Sequence, residues 1–312
     1  MQALLNAIAQ MHNTTDAHRV FHGRGGMHPG EEHWTLDWFA PVWVLTSFKP
    51  VTEVELAQCQ SALQARWQTL APGQPLNWVF QCRSAGQTET RLMSGSVPEP
   101  HVVTEQGARY LVHVMRGQNH GLFLDMANGR EWLKRHALHE NVLNLFAYTC
   151  AFSVVALQGG AAQVVNLDMS QAALAVGQQN HRLNELPLKA RFLGHDIFKT
   201  WGKITRSGPY DLVILDPPSY QKGSFIATKD YAKLMRRLPE LLAPDGYALL
   251  CLNAPELGLD FLQDQMKELA PELRFVERVA NPAAFADVSP ERSLKVLAYQ
   301  IPSLPTSMEN AA

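Results

Sequence analysis

Residues 211–220 read Asp211-Leu-Val-Ile-Leu-Asp216-Pro217-Pro-Ser-Tyr220, an apolar run that ends on a carboxylate and two prolines. A continuous apolar run of this length suits a strand covered on both faces, as strands of a parallel sheet are. Runs of the same character occupy 142–145, 163–167, 190–193 and 247–252. Between them, 152–157, 170–183 and 229–242 carry apolar residues at helical spacing, and Ser170 stands where an N-cap belongs. Strand–helix alternation of this kind predicts an α/β fold, a doubly wound, mostly parallel Rossmann-like sheet. Two further β-like runs, 274–280 and 294–300, separated by a proline-containing loop, lie near the C-terminus.

Residues upstream have another texture. The stretch 34–48 is aromatic and β-branched, and 52–70 is an amphipathic helix opened by Thr52 with Glu55 three residues on. Strand candidates follow at 76–83, 88–93 and 109–114. The expectation is a small α+β domain over 1–120 and an α/β domain over 121–312. A chain of 312 residues is long enough for two cores. With 46% hydrophobic and 18% charged residues it is no disordered, collagenous or coiled-coil protein. Lys+Arg 27 and Asp+Glu 29 leave a net charge of −2, so the whole-molecule field neither announces nor excludes a nucleic-acid partner. Four cysteines lie far apart with no CxxC pair, which removes the usual support for a zinc or disulfide framework. No apolar stretch reaches bilayer length. These features predict a cytoplasmic protein with no membrane partner and no metal; the oligomeric state stays open.

The chemistry concentrates at strand ends, where open parallel sheets bind ligands. Asp216 ends one strand, and Pro217 and Pro218 then remove two N–H donors and hold the backbone extended. What remains is a rigid edge of carbonyl acceptors beside a carboxylate, with Tyr220 as a stacking surface. It suits a flat, amino-bearing base better than a phosphate. Asp168 ends a second strand at the spacing from which a carboxylate takes ribose hydroxyls. Asp196 ends a third, facing an adenine amino group. The first strand–helix turn, 146–152, has no glycine, so the dinucleotide fingerprint is absent and a nucleoside without phosphates fits better.

Together, Asn144-Leu-Phe-Ala-Tyr-Thr149, Asp168-Met-Ser170, Asn180, Asp196 and Asp216-Pro-Pro-Ser219 resemble class I S-adenosylmethionine-dependent methyltransferases. Within that class the chain resembles the large-subunit (23S) ribosomal RNA methyltransferases that make 5-methylcytosine or 7-methylguanosine. Gly121-Leu-Phe-Leu-Asp125 with Arg130 resembles the approach to their catalytic domain. The resemblance implies S-adenosyl-L-methionine as cofactor and RNA, ribosomal above all, as substrate. It implies a cofactor site of Asn144, Phe146, Ala147, Tyr148, Thr149, Asp168, Met169, Asp196 and Ile197. Asp168 would hold the ribose, Asp196 and Ile197 the adenine, and the backbone of 146–149 the methionine end. Asp216, Pro217 and Tyr220 would form the catalytic edge beside the transferred methyl. A methyltransferase of a protein or small molecule, or a scaffold that has lost catalysis, are the competing readings.

The chain departs from that family where glycines are usual and it carries Cys150 and Ala151. It departs again at the end of the fifth strand, Leu250-Cys251-Leu252-Asn253, where cytosine-C5 enzymes place a nucleophilic cysteine. Leu252 falls at that position, Cys251 points to the opposite face by strand alternation, and Asn253 resembles the asparagine of the guanine-N7 type. Direct transfer to a base nitrogen is therefore expected. Lys229, Lys233 and Arg236, with Arg237, form a basic stripe on the expected helix 229–242, either a contact for RNA phosphates or a solvated face. His18-Arg-Val-Phe-His-Gly-Arg-Gly-Gly26 is a basic glycine-rich loop that follows no expected strand, which argues against a phosphate loop. His120, His136 and His139 are expected at the surface.

Overall fold

The computed structural model describes residues 1–303 apart from Ser219 and 222–224, with Tyr220 and Gln221 described by their backbone alone. The chain forms two compact units. One gathers Met1–Asn128, Gln179–Asn184 and Asn281–Ser293; the other holds Gly129–Gln178, Glu185–Ala280 and the chain from Leu294 onward. The units are thus not the two consecutive stretches 1–120 and 121–312, because two later segments cluster with the first unit.

In the first unit, α1 (Gln2–Gln10) precedes β1 (His18–His22), β2 (Trp34–Phe39), β3 (Val42–Ser47), α2 (Glu53–Leu70), β4 (Asn77–Ser84) and β5 (Gln87–Ser94). These strands form one sheet in the order β1-β2-β3-β4-β5, antiparallel throughout except for β3 and β4. That pair is parallel because α2 crosses over between them, opened by a reciprocal cap in which Glu55 N–H donates to Thr52 Oγ1 and Thr52 N–H to Glu55 Oε2. The expected run 34–48 is a hairpin, since Pro41 cannot donate to a ladder and turns the chain at Ala40-Pro41. Trp34, Trp38, Trp43, Trp67 and Trp78 fill the core with Leu4 and Ile8 of α1. A hairpin of β6 (His101–Glu105) and β7 (Ala108–Val112) follows.

The second unit begins within α3 (Ala127–His136) and continues through β8 (Asn141–Leu145), α4 (Ala151–Gln158), β9 (Gln163–Asp168), α5 (Gln171–Leu183), β10 (Ala190–Gly194), α6 (Trp201–Arg206) and β11 (Tyr210–Leu215). Two short paired strands, β12 (Tyr220–Gln221) and β13 (Phe225–Ile226), lead to α7 (Ala227–Met235) and α8 (Leu238–Leu241). β14 (Leu242–Leu252), α9 (Leu259–Leu269), β15 (Arg274–Arg278) and β16 (Lys295–Gln300) complete it. The seven-stranded sheet runs β10-β9-β8-β11-β14-β16-β15, with β16 antiparallel to both neighbours and the others parallel. The chain steps from β8 outward through β9 and β10, then returns to the other side of β8 as β11. That reversal is the switch point at which such sheets open a crevice.

The expected single helix 229–242 is two. Pro239 lacks an N–H for the carbonyl four residues back and its ring crowds that carbonyl, so α7 stops at Met235 and α8 starts afresh. The basic stripe is broken with it.

Candidate active site

Strand register aligns the site. Leu167, Leu145, Leu215 and Leu250 lie in one row across β9, β8, β11 and β14. The next row is Asp168 with Gly194 beside it, then Phe146, Asp216 and Cys251. Both carboxylates and the first strand–helix turn therefore share the C-terminal edge of the sheet, astride the switch point.

Asp168 ties two loops together. Its Oδ2 accepts from the N–H of Tyr148 at 2.8 Å, and its Oδ1 from the N–H of Ser170 at 2.7 Å. Ser170 caps α5 as expected, its Oγ accepting from Ala173 N–H at 3.2 Å. The turn Asp168 clamps has an unusual backbone. Phe146, Tyr148 and Cys150 all take positive φ, 58°, 47° and 60°, a left-handed conformation that costs a residue with a Cβ on the order of 1 kcal/mol or more each. Ala147 and Thr149 between them do not. Ala147 N–H reaches Leu167 O at 3.1 Å, which anchors the turn to β9. Such strain persists only where neighbours hold it, and Asp168 is one of those holds.

Cys150 is fully buried at the N-cap of α4, and burial pushes its thiol well above the ordinary range. Gly177 of α5 makes the room: a Cβ there would lie 2.5 Å from Cys150 Sγ. Asn144 is 1% exposed, and its amide donates to Asn166 Oδ1 at 2.9 Å, while Asn166 donates to Ser153 Oγ. It holds β8 to β9 from inside the sheet, and its own Oδ1 has no partner among the described residues. Met169 lies beside Asp168 with 54% of its surface exposed, an apolar face next to a carboxylate. Asp196 caps a short turn by accepting from Phe198 N–H at 2.9 Å, while Ile197 is buried in the core, so only its backbone can meet a ligand.

Asp216 and Pro217 follow β11 at the same edge, and Pro217 is buried. The side chain of Tyr220 lies outside the described residues. Tyr231 of α7, which nothing in the local sequence singles out, is wholly buried beneath this edge. Its hydroxyl donates to the carbonyl of Cys251 at 2.8 Å and lies 3.3 Å from that of Leu215, so it spans the ends of β14 and β11. Burial and the nearby charge of Asp216 raise its pKa. Phe225 packs edge-on to both Phe146 and Tyr231 and links the loop after Asp216 to the first turn.

The basic residues of α7 are less available than their spacing suggests. Lys233 pairs with Asp230 at 2.7 Å and lies over the Phe198 ring, and Arg237 pairs with Glu240. Lys229 and Arg236 are exposed. Of the histidines expected at the surface, only His139 is exposed; His136 stacks on Trp132, and His120 is 7% exposed and bonded to Gln81 and Arg83. The glycine-rich loop leaves a strand after all: His18–His22 is β1, too polar to be read as one, and 23–25 is a tight turn after it. No helix follows. Among the described residues, no three of His, Cys, Asp and Glu gather as a metal site, and no helix is long and apolar enough to cross a membrane.

A family model described as S-adenosylmethionine-dependent methyltransferase matches residues 18–300. The chain belongs to that methyltransferase family. It is 30% identical over 295 residues to a protein of Erwinia tasmaniensis named ribosomal RNA large subunit methyltransferase I, covering 89% of this chain and 74% of that one. To the protein of the same name from Tolumonas auensis it is 33% identical over 234 residues, covering 72% of this chain and 59% of that one. Among solved structures it is similar to SMU.776, a methyltransferase complexed with SAH, at TM-score 0.80 and 25% identity, covering 96% of this chain and 81% of that one. The cofactor of this methyltransferase is accordingly S-adenosylmethionine. The edge suits it: one carboxylate ends β9 and another lies two residues past β10, the apolar Met169 follows the first, and the turn after β8 lacks a glycine cradle for a pyrophosphate.

Proposed function

We propose that this methyltransferase transfers a methyl group directly to a base nitrogen of ribosomal RNA, in the cytoplasm. The names of the relatives support the substrate. Access to a thiol carries the choice of nitrogen. Cys150 and Cys251 are both fully buried, and Cys59 and Cys82 belong to the first unit. Leu250 and Leu252 share a core with Tyr231, so alternation turns Cys251 to the opposite face, and the exposed side chain past the end of β14 is Asn253. Attack on cytosine C5 needs a thiolate at the base; attack from a ring or exocyclic nitrogen does not.

Bound S-adenosylmethionine supplies an electrophilic methyl on sulfonium, so the chain's own task is orientation. In this reading Asp168 accepts from the ribose hydroxyls, Met169 covers the adenine and Asp196 accepts from its amino group. The backbone of 146–149 lines the methionine end. Asp216 and the carbonyl edge at Pro217 receive the amino-bearing face of the base, with Tyr220 stacking and Lys229, Lys233 and Arg236 toward the phosphates. A base within structured RNA must be splayed out to reach them.

The test supplies methyl-labelled cofactor with ribosomal RNA or with a protein extract, and separately with RNA carrying 5-fluorocytosine. We expect label in RNA, no covalent adduct with the fluorinated RNA, and retained activity in Cys251→Ser. Label entering only protein overturns the substrate. An adduct that vanishes in Cys251→Ser overturns the nitrogen.

A further inference from the structure

The glycine-rich turn after β1 presents an arginine that has no hydrogen-bond or carboxylate partner among the described residues. Gly23 and Gly25 are wedged against backbone: a Cβ at the first would lie 2.0 Å from Glu31 O, and at the second 1.9 Å from Ala286 O. Only glycine fits at either place, so Arg24 between them is held at a fixed point of the surface. Its guanidinium lies 4.2 Å from the centre of the Phe48 ring and makes no hydrogen bond among the described residues. Arg83 approaches the same ring at 5.8 Å. Arg83 gives its Nε and Nη2 to the neutral Gln81 Oε1, at 3.2 and 2.8 Å, and among the described residues its Nη1 makes no bond.

A third arginine, Arg19, lies close enough for its charge to act on both, but it is already paired with Asp37 through two bonds of 2.7 and 3.0 Å. Asp37 also acts on Arg83, Asp125 on Arg19 and Asp287 on His22. Desolvation and the Arg19 charge press the Arg24 guanidinium below its ordinary pKa. His22 and His120 beside the cluster stay neutral, each with its pKa lowered to about 4, so they neither add to the positive charge nor offset it. Arg24 and Arg83 are therefore like charges gathered at one ring; among the described residues neither is ion-paired with a carboxylate, and Asp37, whose charge acts on Arg83, is bonded to Arg19. An anion is the group that relieves that arrangement, and a guanidinium fork matches phosphate.

We propose that Arg24 and Arg83 at the Phe48 ring form a docking site for a backbone phosphate of the RNA substrate. This rests on the RNA reading given above. The contact carries no sequence information; it sets the register of the RNA on the first unit.

The test measures binding of ribosomal RNA transcribed in vitro across a salt series, together with methyl-transfer kinetics, for the full chain and for Arg24→Gln, Arg24→Lys and Arg83→Gln. Arg24 is exposed, so its variants leave the fold intact even if Arg83→Gln disturbs Gln81 and His120. In Arg24→Gln we expect RNA affinity to fall about four- to sixfold at 0.15 M salt, the counterion-release share of one phosphate, and the salt slope to drop by about 0.7 to 0.9. The loss should appear in KM for RNA, with kcat and cofactor affinity unchanged, and Arg24→Lys should recover part of it. Wild-type binding with unaltered affinity and slope in Arg24→Gln overturns this site and leaves the RNA reading standing. Failure of the wild-type chain to bind RNA at all removes the reading and the site with it.

Discussion

At the scale of single residues, the carboxylate of Asp168 does two jobs that substitution separates. Its oxygens accept from Tyr148 and Ser170 N–H, and in the proposed site its remaining lone pairs accept from the ribose. Hydrogen bonds to a charged acceptor contribute about 1.5–3 kcal/mol each. Asp168→Ala loses all of them, and we expect cofactor affinity to fall about tenfold to a hundredfold by calorimetric titration. Asp168→Asn keeps one acceptor oxygen, which can hold Tyr148 or Ser170 but not both, and should lie between. Unchanged affinity in Asp168→Ala would remove the ribose assignment. Asp216→Ala should instead abolish transfer while cofactor binding persists, because it serves the acceptor base; joint loss of both would make it a cofactor ligand. The placement of Asp168, Asp196 and Asp216 at or just past strand ends was legible because apolar runs lead to each. Asn144 was not: an asparagine near a strand end reads the same whether it faces a ligand or, as here, a buried Asn166. Nor did Cys150 betray its compensation, which lies 27 positions away in Gly177.

Among elements, α7 matters through one hydroxyl. Tyr231 joins the ends of β11 and β14, the two strands that deliver Asp216 and Asn253. Tyr231→Phe keeps the ring and its packing on Phe225 but removes the hydroxyl that bonds the Cys251 and Leu215 carbonyls, at a cost of about 0.5–1.5 kcal/mol. We expect an unfolding free energy lower by that amount in denaturant titration and a reduced kcat, with cofactor affinity little changed. A full loss of stability with kcat intact would make Tyr231 a packing residue only. The parallel strands were readable because covering on both faces leaves continuous apolar runs. The split of 229–242 was signalled by Pro239 and outweighed by helical spacing on both sides of it. β1, His-Arg-Val-Phe-His, was illegible for the opposite reason: its polar side chains find partners such as Asp37 that lie far along the chain.

For the molecule as a whole, acidity should act on the first unit. His22 and His120 both have pKa values lowered to about 4, chiefly by burial and then by Arg19 and Arg83 respectively. Unfolded imidazoles titrate near ~6.5. Between that value and about 4 the unfolded chain takes up protons that the folded chain refuses, so stability is complete above pH ~6.5 and falls as pH drops through the window. The buried His120 accounts for about 3 kcal/mol of this, and the half-buried His22 for less. Denaturant melts from neutral pH downward should show the loss, and His120→Gln should flatten it. A profile equally steep in that variant would place the titration elsewhere. The net charge of −2 gave no hint of any local basic cluster, since charge totals average over patches.

The turn that presents Arg24 is closed by residues far downstream of it, at 285–288. Val288 N–H donates to Gly25 O, Ala286 O fills the space beside Gly25, and the Phe285 ring lies under Arg19. A ribosome adding ~5–20 residues per second emits Gly25 many seconds before any of them. The first unit therefore waits, incomplete, while the whole parallel sheet through β15 is synthesised. Its maturation is timed by those later residues, and the finished arginine turn forms only once 285–288 have been made.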